Sequence, residues 1–172
     1  PVILKSPHGS MGMGVSIIES RRSLKSMLDL LAPSLKNGLI IIQEYVKEAK
    51  GKDIRVFIVG SKIVAVMERQ AKKGEFRSNF HLGGDVSTID LTEEEKFLAL
   101  KATKVLGLHV AGVDIIRTVE GPKILEVNAC PGLEGITKAT GINVASYIIK
   151  FAEKLVKQKK WLIKKEDATV AV

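Results

Sequence analysis

Residues 111–135, AGVDIIRTVEGPKILEVNACPGLEG, constrain the fold more than any other stretch. One apolar run from Val110 to Ile116 and another from Ile124 to Val127 flank Glu120-Gly121-Pro122, the pattern of a β-hairpin. Asp114, Glu126 and Asn128 lie within these runs. Side chains alternate along a strand, so Glu126 and Asn128 share a face. A connection of three or five residues sets Asp114 opposite Glu126 and Gly112 opposite Asn128. A two-residue turn breaks that register.

Two carboxylates and an amide on one strand face need a reason. Buried carboxylates without partners cost several kcal/mol or change protonation state. A hard cation is one solution: Mg²⁺ takes one or two carboxylates and completes its shell with waters and substrate phosphates. An ordinary wet strand face is the other. Ala129-Cys130-Pro131-Gly132 then ends the strand in a loop, where binding residues concentrate. Cys130 reads as a small buried residue at the strand end rather than a nucleophile.

The other motifs follow in order. Residues 2–5 read as a strand, SPHGSMGMG as a glycine-rich turn and VSIIES as a second strand. A helix is expected over 21–36, capped by Ser20, with Leu24, Met27, Leu28, Leu31 and Leu35 on one stripe, Pro33 placed late enough to bend or end it, and Asn37-Gly38 closing it. Leu39 to Gln43 reads as a buried strand. Ile54–Val59 and Lys62–Met67 form a hairpin around Gly60-Ser61, with Arg55 facing a cleft or pairing with a carboxylate. Residues 69–84 are polar and cluster Arg77, Ser78, Asn79 and His81, either a ligand site or a surface loop. His81 reads as a structural hydrogen-bonder. Thr92 and Glu95 form a capping box for a helix ending near Leu106, so its glutamates serve capping. A last helix runs from Gly141 to Lys157 with Val144, Ile148, Phe151 and Leu155 inward, and residues 163–172 are expected to fray.

Composition narrows the classes. The 172 residues are 45% hydrophobic, suited to a globular core, with no apolar run long enough for a membrane span. One cysteine excludes an internal disulfide and, with no secretory signal, favours the cytoplasm. A net charge of +8 suits nucleic acid, an anionic nucleotide or an acidic partner. The 5% aromatic content argues against a base-stacking platform, so nucleic acid is not the expected partner.

EVNACPGLEGITKATGI with AGVDI upstream, QEYVKEAKGKDIR and GEFRSNFHLGG resemble, in the same order, the motifs of ATP-grasp carboxylate–amine ligases of the RimK-like group. The resemblance covers about residues 1–155. It implies an α+β ATP-grasp fold: a lid lobe at 1–43, a larger antiparallel-sheet lobe with the metal site at 44–161, and a frayed tail at 162–172. Mg·ATP (or Mn²⁺) would lie between the lobes. Lys5, Glu44, Tyr45, Val46, Asp53 and Arg77 would contact the nucleotide, with Arg77 also catalytic. Asp114, Glu126 and Asn128 would hold the metal, and Gly132–Gly135 would line the acceptor cleft. The implied reaction joins an amino acid, glutamate being favoured, to a carboxylate of a protein C-terminus or small molecule through an acyl phosphate.

Each residue keeps a plainer reading: Lys5 as a solvated strand-end lysine, Glu44-Tyr45-Val46 as a strand end, Asp53 as a loop carboxylate. Because the group carries an N-terminal domain and a first ATP-grasp segment upstream of Lys5, an incomplete Mg·ATP-binding module is the alternative. A basic nucleic-acid-binding protein is the third reading. A homo-oligomer is compatible with all three.

Overall fold

The computed structural model describes residues 1–7, 12–33, 39–78 and 83–169, with side chains described to residue 159. The chain divides into two compact units, Pro1–Gly51 with Gln70–Asp85, and Lys52–Arg69 with Val86–Val172. Segments 44–51 and 70–85, expected with the larger lobe, therefore belong to the first unit.

In the first unit, β1 (Val2–Lys5) is the central strand of a three-stranded sheet, antiparallel to β2 (Val15–Ile18) and β3 (Ile41–Glu44). Ile3, Leu4 and Ile18 are buried there. Helix α1 (Arg21–Leu31) starts as expected, with the Ser23 N–H donating to the Ser20 hydroxyl at 3.1 Å. It ends earlier than residue 36. The last helical bond runs from the Ala32 N–H to the Leu28 carbonyl, and Pro33 has no N–H with which to continue. Leu35, Asn37 and Gly38 lie outside the described residues. Leu39–Gln43 was expected to be buried, but Ile41 is 45% and Ile42 52% exposed. β3 is an edge strand, and a short apolar run does not distinguish an edge from a covered strand.

The second unit is built on a five-stranded sheet in the order β6-β5-β4-β7-β8. These strands are β4 (Lys52–Val59), β5 (Lys62–Gln70), β6 (Asp85–Thr88), β7 (Val110–Thr118) and β8 (Gly121–Asn128). Alternation along β4 and β7 sends two sets of side chains to opposite faces. Ile54, Val56, Ile58, Ala111, Val113 and Ile115 pack with Ala99 of α2 (Glu93–Val105). Phe57, Val59, Ala65 and Met67 pack with Ile136 of α3 (Glu134–Thr140) and Val144 of α4 (Val144–Thr169). Full burial of a side chain such as Phe57 contributes about 1.5–3 kcal/mol. Gly60 is needed where β4 turns into β5: its φ is +63°, and a Cβ there would meet the Phe151 ring at 2.6 Å.

The capping box of α2 forms as read: the Glu95 N–H donates to Thr92, and the Thr92 N–H donates to Glu95. Arg117 adds a fork on Glu95, and that hydrogen bond, against burial, holds Glu95 below the usual carboxylate range. Helix α3 was not expected, and its first turn includes Glu134 and Gly135. Helix α4 runs well past Lys157, to Thr169. Val144 is buried and Ile148 and Phe151 pack inward, but Leu155 is 39% exposed. No Gly or Pro follows residue 141, and Lys, Gln and Glu are good helix formers, so nothing local stops the helix. No described helix is long and apolar enough to cross a membrane.

Candidate metal and nucleotide site

The hairpin keeps the pairing that placed its polar residues, by a route of its own. Its turn has two residues, since Thr118 pairs with Gly121, and Ile115 pairs with Ile124. The register then shifts between Asp114 and Ile115, so that Leu125 is left without a partner. This β-bulge restores Asp114 opposite Glu126, Val113 opposite Val127 and Gly112 opposite Asn128. The Asn128 amide donates to Glu126 Oε1 at 3.0 Å, and Glu126 is exposed.

Asp114 is buried, and two arginines hold it. Arg55, its direct partner across β4 and β7, forks onto it: Nε donates to Oδ1, and Nη2 donates to Oδ2 at 2.8 Å. Arg69 donates from Nη2 to the same Oδ2 at 2.7 Å, and from Nε and Nη2 to Asp53 at 2.6 and 2.8 Å. Asp53, Arg55, Arg69 and Asp114 thus form two acids and two bases on the face that carries Phe57. Burial alone would push Asp114 up; Arg69 and then Arg55 outweigh it and hold the carboxyl below its ordinary range. Burial likewise opposes the charge on Arg69, and Asp114 and Asp53 overcome it.

Gly112 makes room for this arrangement. A Cβ at Gly112 would stand 2.7 Å from Pro131 Cβ and 3.1 and 3.2 Å from Arg55 Cδ and Nη1. The guanidinium of Arg55 therefore spans two adjacent pairings of the hairpin, lying on Asp114 and over the glycine opposite Asn128.

Glu126 and Asn128 suit a hard cation, which Asp114 joins only by giving up a bond to Arg55 or Arg69. Glu126 is an accessible carboxylate, Asn128 adds an amide oxygen beside it, and Asp114 lies across the ladder. Among the described residues no three His, Cys, Asp or Glu side chains converge, so a metal here would draw its remaining ligands from water and substrate oxygens.

The residues read as nucleotide contacts fall on both units. Lys5 ends β1 and pairs with Ile41, while Glu44 pairs with Val2, so the two stand at opposite ends of one ladder. Tyr45 packs edge-on against Phe76, ring centroids 6.4 Å apart, and the Arg77 guanidinium lies 5.6 Å from the same ring. Arg77 is anchored by Glu75, with Nε and Nη2 donating at 3.0 and 2.7 Å, and Nη1 donates to the Gly12 carbonyl at 2.9 Å. Those bonds lower Glu75 to about 2. Val46 follows β3 and caps a short 3₁₀ turn at Lys47–Ala49. Asp53 lies within β4, not in a loop, and is buried against Arg69. Ser78 is buried, and Asn79 and His81 lie outside the described residues. Cys130 is exposed, not buried.

Arg69 and Glu75 were not singled out from sequence. Arg69 had a signal: it continues the inward alternation of Ala65 and Met67, where a cation requires carboxylates.

The family described as RimK-like ATP-grasp domain matches residues 1–152, and the chain belongs to it. A protein of Shewanella denitrificans named "Probable alpha-L-glutamate ligase 2" is 51% identical over 157 residues, covering 91% of this chain and 52% of that protein. The chain thus spans about half the length of the curated relatives it matches. Among solved structures, the D-alanine–D-alanine ligase of Bacillus anthracis aligns over 92% of this chain and 56% of its own, with a TM-score of 0.68 and 22% identity. The ATP-grasp ligase PsnB, solved with a phosphomimetic variant of a minimal precursor, Mg and ADP, aligns over 90% and 46%, with a TM-score of 0.65 and 18% identity. The fold is therefore ATP-grasp.

Proposed function

We propose that this chain carries the metal-binding and much of the nucleotide-binding machinery of an ATP-dependent carboxylate–amine ligase, with ATP and Mg²⁺ as cofactors. The observation that carries the reading is the bulged register setting Asp114 opposite Glu126, with Asn128 bonded beside them. The names of the relatives favour glutamate as the amino acid. The proposed acceptor is a carboxylate of a protein or small molecule, and the proposed setting is the cytoplasm.

In this reading a substrate carboxylate attacks the γ-phosphorus of ATP, giving an acyl phosphate and ADP. The amine then attacks the acyl carbon, phosphate leaves, and the amine loses a proton to give the amide. Lys5 and Arg77 neutralise phosphate charge, Glu44, Tyr45 and Val46 shape the adenine slot, and Asp53, anchored by Arg69, stands on the ribose side. Asp114, Glu126 and Asn128 would hold the metal. When bound, the metal supplies charge neutralisation and alignment of the phosphate oxygens.

Titration calorimetry with a non-hydrolysable ATP analogue tests this, with and without Mg²⁺, on the chain and on Glu126→Gln. Mg²⁺-dependent binding weakened about tenfold or more by loss of one metal ligand is expected. Binding indifferent to both Mg²⁺ and Glu126 contradicts it.

A further inference from the structure

We infer that Arg55 serves as a built-in counter-cation for Asp114, so that a divalent metal enters this site with the nucleotide's phosphates and not alone. The inference rests on the metal reading of Asp114, Glu126 and Asn128, and adds a residue that reading does not use. Arg55 is a positioning residue: it acts on the site through Asp114.

Three observations carry it. The buried quartet balances its charge internally, with Asp53 and Asp114 against Arg55 and Arg69. Both oxygens of Asp114 accept from guanidinium groups, and Arg55 supplies one bond to each. The Arg55 side chain also lies over Gly112, opposite Asn128, on the face a cation must approach. A lone divalent ion would meet two positive groups and one accessible carboxylate, Glu126. Phosphates arriving with the ion reverse that balance, because they bring negative charge and oxygen ligands together. Arg55 meanwhile holds the Asp114 carboxylate in place through its fork while no metal is there.

The probe is Mn²⁺, read by water-proton relaxation enhancement, which rises when the ion rides on the macromolecule. It is titrated alone and with the non-hydrolysable ATP analogue into the chain, Arg55→Gln, Arg55→Lys and Glu126→Gln. Removing one neighbouring positive charge should tighten binding of Mn²⁺ alone about tenfold or more in Arg55→Gln. Arg55→Lys, which keeps the charge but loses the fork, should stay within about threefold of the unaltered chain, an outcome a purely structural role would not separate. In the unaltered chain the analogue should raise Mn²⁺ affinity about tenfold or more, an arm that needs no folded variant. Equal Mn²⁺ affinity with and without analogue overturns the inference, as does a folded Arg55→Gln that binds Mn²⁺ alone no better. No enhancement with Mn²⁺ and analogue together, unchanged by Glu126→Gln, instead removes the functional reading and the inference with it.

Discussion

Two arginine–carboxylate arrangements, the quartet of Asp53, Arg55, Arg69 and Asp114 in the second unit and the Arg77–Glu75 pair in the first, use the same chemistry in opposite surroundings. Arg69 and Arg55 bind Asp53 and Asp114 on a packed sheet face, where the side-chain exposures of Arg69 and Asp114 are 6% and 4%. Arg77 and Glu75 bind each other in an irregular segment at 29% and 27% exposure. In the first place, removing one partner strands a charge where water cannot reach it. In the second, water replaces the lost partner, so the pair contributes little to stability and its arginine can exchange a carboxylate for a phosphate at small cost. The buried fork fixes geometry; the exposed one keeps a cation available.

The largest effect should come from breaking the buried fork at its centre. Arg69→Met leaves Asp53 without its guanidinium and Asp114 with Arg55 alone, and should destabilise the chain by about 3–5 kcal/mol in urea titrations. A loss below about 1 kcal/mol would mean that water, Arg55 or another neighbour compensates for the lost guanidinium.

Gly112→Ala should cost less, about 1–3 kcal/mol, because the new methyl must displace Pro131 or the Arg55 stem. It sharpens the comparison by moving Arg55 without deleting a charge. If the contact with Arg55 matters, the same variant also changes Mn²⁺ affinity, whereas overpacking against Pro131 alone changes only the urea midpoint.

The exposed fork should show the smallest effect. Glu75→Gln is expected to cost no more than about 1 kcal/mol at neutral pH. Its sign with pH is fixed: a folded-state value of about 2, against 4.5 for the free group, means the stabilisation is fully present above 4.5 and is lost as pH falls toward 2. The stability gap between the chain and Glu75→Gln should therefore narrow over that window. A gap that widens on acidification would mean Arg77 does not hold the Glu75 carboxylate.

What was legible from sequence follows the same division between local and long-range physics. The Ser20 cap and the Thr92–Glu95 box depend on neighbours a few residues away, and both form as read. Helix α1 ends at Leu31, just before Pro33, the residue read as able to bend or end it, although the apolar stripe runs on to Leu35. The exposure of β3 depends on what covers a sheet, which no run of isoleucines states. The pairing of Asp114 with Glu126 was read for a longer connection and arises instead from a two-residue turn corrected by a bulge at Leu125. The sequence allows Arg55 a cleft face or a carboxylate partner, and its fork on Asp114 supplies the carboxylate. Arg69 was passed over because its partners lie 16 and 45 residues away in sequence. Such a partnership exists only once β5, β4 and β7 are side by side.

The most direct measurement is a crystal structure of the chain grown with Mn²⁺ and a non-hydrolysable ATP analogue, with anomalous data collected to locate the metal. The account predicts a manganese peak about 2.1 Å from oxygens of Glu126 and Asn128, with Asp114 turned toward it and analogue phosphate oxygens filling the shell. Bound analogue whose metal lies away from these residues, with Asp114 held only by Arg55 and Arg69, would contradict it.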